Sequence, residues 1–210
     1  MSRQRTRPDS DVVAATIRVI SRVGPTRFTL ADVAAEVGLA PATLLQRFGS
    51  KRGLLLAVAG QGAAGVEECF SLVRSQNPSP LAALKAALRE MTRHARTPEE
   101  MANSLAFLEM DLTDPDFHRL ARGSSRTILT GYRTLLDDAI AAGELIPCDT
   151  ARLSHVVQAL VNGSMLEWAI HREGTLADWL RRDVETVLAP LRVRKRRVRR
   201  ARASRLSQRT

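Results

Sequence analysis

Residues 29–51 read TLADVAAEVGLAPATLLQRFGSK, two short helices joined by a tight turn. Thr29 followed three residues later by Asp32 is a capping-box pattern. Its hydroxyl and carboxylate are placed to satisfy N–H groups that a helix start leaves without partners. Leu30, Val33, Ala34 and Val37 then recur at helical spacing. Gly38 ends that helix, because glycine takes positive φ without steric cost, and Leu39 is placed to fill the angle between the helices. Pro41 opens the second helix, where its missing N–H costs least. Leu44 and Phe48 are four apart and face inward, whereas Thr43, Gln46 and Arg47 share a different, polar face. A short helix with an apolar back, a polar front and basic ends suits a major groove. The stretch therefore reads as a DNA-binding helix-turn-helix, although two amphipathic helices of any all-α domain would share part of the pattern.

Charge supports the DNA reading. Of a formal net charge of +10, residues 192–210 supply ten Arg or Lys and no acid. Residues 1–53 hold nine basic and four acidic residues, and residues 54–191 hold thirteen basic and eighteen acidic. Two basic ends around an acidic middle fit a chain whose ends meet a polyanion while its body stays away from it.

Several linked positions of the amino-terminal stretch resemble the TetR family of bacterial transcriptional regulators. They are Ala14-Ala15, Val23-Gly24, Phe28-Thr29, Val33-Ala34, Val37-Gly38-Leu39, Thr43-Leu44, Phe48 and Ser50-Lys51. The likeness is close over about residues 11 to 56 and general in layout beyond. It implies an all-α fold: a three-helix DNA-binding module with the helix-turn-helix, then a larger helical bundle for ligand binding and dimerisation. It also implies a phosphate contact at Lys51, where Ser50 caps the next helix and free N–H groups and the helix dipole favour an anion. Arg52 is a weaker second contact. The candidate DNA-binding residues are Thr29, Pro41, Ala42, Thr43, Gln46, Arg47 and Lys51. Two positions depart from the family pattern. Ala40 stands where a Ser or Thr usually caps the recognition helix, a loss of ~1 kcal/mol that the preset φ of Pro41 partly offsets. Leu45 replaces a Tyr that often reaches a phosphate.

The expected organisation is a disordered basic arm at 1–8, the DNA-binding domain at 9–56, an effector-binding and dimerisation domain at 57–191, and a disordered basic tail at 192–210. The first helix carries Val12, Val13, Ile17, Ile20 and Val23 and stops at Gly24-Pro25. From Leu54 onward the periodicity is helical throughout. Helices are expected at about 51–75, 80–96 and 98–112, then 116–142 with Gly123 as a possible bend, 151–172 and 175–191. The arm can reach phosphates or a neighbouring minor groove. The tail can add nonspecific affinity through counterion release, with RNA or an acidic membrane surface as alternative partners.

The last two helices carry apolar stripes: Leu153, Val156, Val157, Leu160, Val161 and Trp168, then Leu176, Trp179, Leu180, Val184, Val187 and Leu188. They either complete the monomer core or, as the resemblance implies, form a homodimer in which Gly163 and Ser164 allow close approach. A two-fold dimer presents two recognition helices to a pseudo-palindromic operator in double-stranded DNA.

No catalytic constellation is present: no paired histidines, no HExxH, no GxSxG and no phosphate-cradling glycine loop. No metal site and no cofactor are expected. Cys69 and Cys148 lack metal-like spacing and read as reduced thiols of a cytoplasmic protein, with a redox pair as the alternative. No apolar run is long enough to span a membrane. The resemblance implies an unidentified small-molecule effector in the carboxy-terminal bundle. Candidate lining residues are Met101, Leu105, Phe107, Met110, Phe117, Tyr132 and Met165, with His155 or His171 as polar groups. The functional expectation is a sequence-specific, effector-responsive transcriptional regulator, a repressor. The competing one is a nonspecific architectural DNA-binding protein that uses its basic ends.

Overall fold

A computed structural model describes residues 7–193 apart from His94, with the backbone alone described at Gly62 and Ala63. Most of the expected basic arm and tail lie outside these residues. Every regular element described is a helix: α1 Asp9–Val23, α2 Leu30–Val37, α3 Pro41–Phe48, α4 Lys51–Gln76, α5 Pro80–Met91, α6 Pro98–Thr113, α7 Pro115–Ala141, α8 Thr150–His171 and α9 Leu176–Leu188. A 3-10 turn, Ala189–Leu191, follows α9.

Local chemistry sets most of these limits. Thr29 and Asp32 form the expected capping box, and Ser50, Ser79, Thr97, Asp149 and Thr175 each accept a backbone N–H at the start of a helix. Ala40 makes no such bond, and Pro41 occupies the first turn instead. Gly38 closes α2 in the left-handed region at φ 69°. One expectation fails. The fifth helix stops at Met91 rather than near residue 96, where the Thr92 hydroxyl donates back to Leu88 O at 2.8 Å and competes with the next helical bond. The seventh runs through Gly123 without a break.

Two apolar cores result. Val12, Val19, Ile20, Phe28, Val33, Ala34, Leu44, Leu54 and Leu55 form one at the amino-terminal end. Val66, Phe70, Val73, α5, the second half of α7, α8 and α9 form the other. Helix α4 serves both, so a boundary at residue 56 falls inside one continuous helix.

Helices α4 and α7 run parallel, clamped at both ends. Arg52 binds Asp114 and Asp116 at 2.8 and 2.9 Å, and Arg74 binds Asp138 at 2.8 Å. Gly131 lies against Phe70 so closely that a Cβ there would overlap the ring. Beyond α7, Ile146 N donates to Leu191 O at 2.8 Å and Val193 N to Glu144 O at 3.0 Å. Arg192 and Val193, expected in the tail, are thus held against the α7–α8 loop.

Candidate nucleic-acid interface

Leu44 is fully buried and anchors α3 by its apolar back. Pro41, Ala42, Leu45 and Gln46 face solvent, and Thr43 is half-buried. Leu45 leaves an apolar spot, 52% exposed, among these groups. Thr29 is exposed at the start of α2, with its hydroxyl 2.8 Å from Asp32. Hydrogen bonds from the Thr29 side chain and backbone hold the Asp32 carboxyl below its usual pKa.

The expected cations do not simply point outward. Arg47, expected on the polar face with Thr43 and Gln46, turns its guanidinium back to α1 and donates through Nε to Asp9 Oδ1 at 2.8 Å. Lys51 donates to Thr26 O at 2.7 Å and lies 4.5 Å from the Phe28 ring centroid, tying the start of α4 to the α1–α2 turn. Arg52 turns towards the α6–α7 junction, its side chain half exposed. Its hydrogen bonds hold Asp114 and Asp116 below the usual carboxylate range, and its own pKa is raised in return. It is ion-paired with the α6–α7 junction through Asp114 and Asp116.

A second tie to the body was not legible in sequence: Asn103 of α6 donates to Ser21 O at 2.8 Å. In sequence Asn103 is a lone amide, which specifies no partner.

The seven expected effector residues do not come together. Phe117 is fully buried in the amino-terminal core, with Phe107 and Met110 packed against it. Met101, Tyr132 and Met165 belong to the other core, and Leu105 is exposed. The reason is α7 itself: Phe117 and Tyr132 are about four turns apart, roughly 22 Å along one helix. His155 and His171 are exposed, and His171 stacks on Trp179 with ring centroids 5.7 Å apart. Among the described residues the buried Tyr132 hydroxyl has no hydrogen-bond partner, and burial pushes its pKa up.

The structure instead offers a cleft of about 710 Å³ between α4, α6, α7 and α8, lined by Phe107, Leu108, Asp111, Ile128, Gln158 and Asn162 among others. Of the seven, Phe107 alone lines it. Burial raises the pKa of Asp111, and Gln158 Oε1 lacks a partner among the described residues.

Ser164, expected at a subunit contact, is buried and donates to Asp183 Oδ2 at 2.7 Å, holding α8 to α9. On the outer side of α8, Val156, Gly163, Leu166 and Ile170 are exposed, at spacings that put them on one face. Burial pushes both thiols up, Cys69 most directly, which favours the unreactive thiol form. Among the described residues there is no His, Cys, Asp or Glu cluster able to hold a metal, and no helix long and apolar enough to cross a membrane.

Comparison with known families and structures agrees with this architecture. Residues 12–58 match the family described as bacterial regulatory proteins, tetR family. Residues 80–204 match the BetI-type transcriptional repressor, C-terminal. No curated protein matches. Solved structures do: a TetR transcriptional regulator from Legionella pneumophila is 16% identical with TM-score 0.70, over 89% of this chain and 100% of that one. A TetR transcription regulator from Haloarcula marismortui is 15% identical with TM-score 0.71, over 88% and 98%. One from Streptomyces coelicolor is 23% identical with TM-score 0.68, over 88% and 98%. At these identities the likeness establishes the fold.

Proposed function

Since the chain belongs to the TetR family of bacterial regulatory proteins, and is a DNA-binding transcriptional regulator rather than an enzyme, we propose that it works as a homodimeric repressor of a pseudo-palindromic operator, released by a small molecule. The observation that carries this reading is α3: a short helix pinned by buried Leu44, with Ala42, Gln46 and the edge of Thr43 turned to solvent. Next to it, the Ser50-capped start of α4 offers free N–H groups to a phosphate, with Lys51 adding charge. Base edges read by Thr43 and Gln46 supply sequence choice, while Lys51, Pro41 and Thr29 border the backbone.

The exposed face of α8 supports the dimer. Val156, Leu166 and Ile170 are 42%, 41% and 63% exposed on one helix face, and Gly163 between them permits close approach. Pairing two copies through this face sets the spacing of two recognition helices.

The cleft between α4, α6, α7 and α8 supports the effector. A ligand there touches α6 and α7, whose junction holds Arg52 through Asp114 and Asp116. A ligand that favours a different position of this junction lowers operator affinity, and the operator lowers ligand affinity by the same factor.

The test is selection of bound fragments from the source genome at fixed salt. Enrichment of two-fold-symmetric half-sites is expected. Gln46→Ala relaxes base preference, whereas Lys51→Ala weakens all sequences alike and lowers the salt slope by about 0.9. Equal recovery of all fragments would instead favour an architectural DNA-binding protein.

A further inference from the structure

The cleft between α4, α6, α7 and α8 is walled by apolar groups: Ala59 from α4, Phe107, Leu108 and Leu112 from α6, and Leu120 and Ile128 from α7. Leu108 and Leu112 are 47% and 70% exposed, so this wall is open to water and gains by being covered. At about 710 Å³ the space suits an organic molecule rather than a single ion.

Two acceptors in this cleft lack donors. Asp111 is half-buried on α6, and among the described residues no cation offsets its desolvation. Nearby acids are served: Glu100 pairs with Arg96, and Asp114 and Asp116 hold Arg52. Gln158 of α8 donates through Nε2 to Asn162 Oδ1 at 3.2 Å, and its buried Oε1 has no donor among the described residues. A buried acceptor without a donor bears its full desolvation penalty, more so when charged. One kind of group relieves both penalties, an N–H donor that carries positive charge.

Basic residues also line the cleft. His118, Arg122 and Arg126 reach it from α7, and all three are exposed to solvent. Charges that face water act at a dielectric near ~80 and are screened by salt, whereas a half-buried carboxylate acts at about 20. At equal distance the attraction of Asp111 is therefore roughly fourfold stronger than the repulsion of an exposed arginine. Residues 54–191 hold eighteen acids against thirteen bases, a balance that also favours a cation.

We infer that the ligand of this cleft is a protonated amine on an apolar body, its N–H groups meeting Asp111 and Gln158 Oε1 and its body lying on Phe107, Leu108 and Leu112. The inference rests on the reading of the cleft as an effector site and names the class of that effector. Such a ligand reaches the operator through α6. Asp111 stands three residues before Asp114, ~4.5 Å along the helix axis, and Asp114 holds Arg52 at the start of α4. A cation on Asp111 competes with Arg52 for the negative charge of this junction and loosens the attachment of the DNA-binding module.

The test is titration calorimetry on the full chain with four probes that share one apolar body: phenethylamine, hydrocinnamate, phenethyl alcohol and phenethyltrimethylammonium. Phenethylamine is expected to bind about tenfold more tightly than the other three, because it alone brings both positive charge and N–H donors. Asp111→Asn is expected to weaken the amine about tenfold, and Gln158→Met to narrow its lead over the trimethylammonium. Both substitutions nearly preserve side-chain volume, and thermal melts check that the variants fold. Equal or tighter binding of any other probe would overturn the inference. So would no binding of all four, or an amine affinity that survives both substitutions. Adding each probe to the DNA complex separates this inference from the effector reading. Amine-selective binding that leaves the complex intact keeps the ligand class and counts against release by a small molecule. Release by hydrocinnamate or phenethyl alcohol in preference keeps the effector reading and overturns the amine.

Discussion

Asp9→Asn isolates what Arg47 does on DNA. In the free protein Arg47 Nε sits 2.8 Å from Asp9 Oδ1, with the Asp9 side chain 68% exposed and that of Arg47 23%. A pair this open to water contributes ~0.2–1 kcal/mol, so its loss shifts the melting temperature by about 4 °C or less. To reach a phosphate or a base edge, Arg47 must leave Asp9, which then faces the duplex as an uncompensated negative charge. Asn removes both costs, and affinity for DNA rises by the energy of the pair, about 1.5- to 5-fold. Fluorescence anisotropy with one duplex at fixed salt, on the wild type, Asp9→Asn, Arg47→Ala and the double variant, closes a double-mutant cycle. Arg47→Ala is expected to weaken binding and to remove most of the gain from Asp9→Asn. An equal gain in both backgrounds would show that Asp9 acts by charge alone and that Arg47 never leaves it. No gain in either would exclude both residues from the interface.

Two further perturbations probe the body. Phe117→Ala, at 1% exposure with Arg52 stacked over the ring, should cost about 3–5 kcal/mol in urea unfolding. Leu105→Ala, 38% exposed, should cost under about 1 kcal/mol; similar costs for the two would contradict their placement. Asp111→Asn should raise the melting temperature at neutral pH. Burial raises the folded pKa of Asp111 above its unfolded value, so its contribution is favourable below the unfolded pKa and is lost as pH rises through the folded one. The gain should therefore vanish in acid, and a gain that persists there would assign the effect to something other than charge burial.

Sequence by itself determined the helix-turn-helix and most helix limits, because these depend on neighbours in the chain. The Thr29–Asp32 box, Gly38, Pro41 and Ser50 act within a turn of where they stand, and the helical spacing of Val33 with Val37, and of Leu44 with Phe48, identifies each helix's inward face without reference to what covers it. The tertiary structure alone decided partners. Periodicity marked Phe117 and Tyr132 as inward-facing on one helix, but only the packing of α7 along α4 sends one into the amino-terminal core and the other into the carboxy-terminal core. Arg47, Lys51 and Arg52 looked alike as cations near a phosphate. Asp9, Thr26 and Asp114, at sequence separations of 38, 25 and 62 residues, distinguish them. Long-range pairing depends on which surfaces meet when apolar faces are buried together, and a one-dimensional pattern of residue types carries the tendency to bury but not the address.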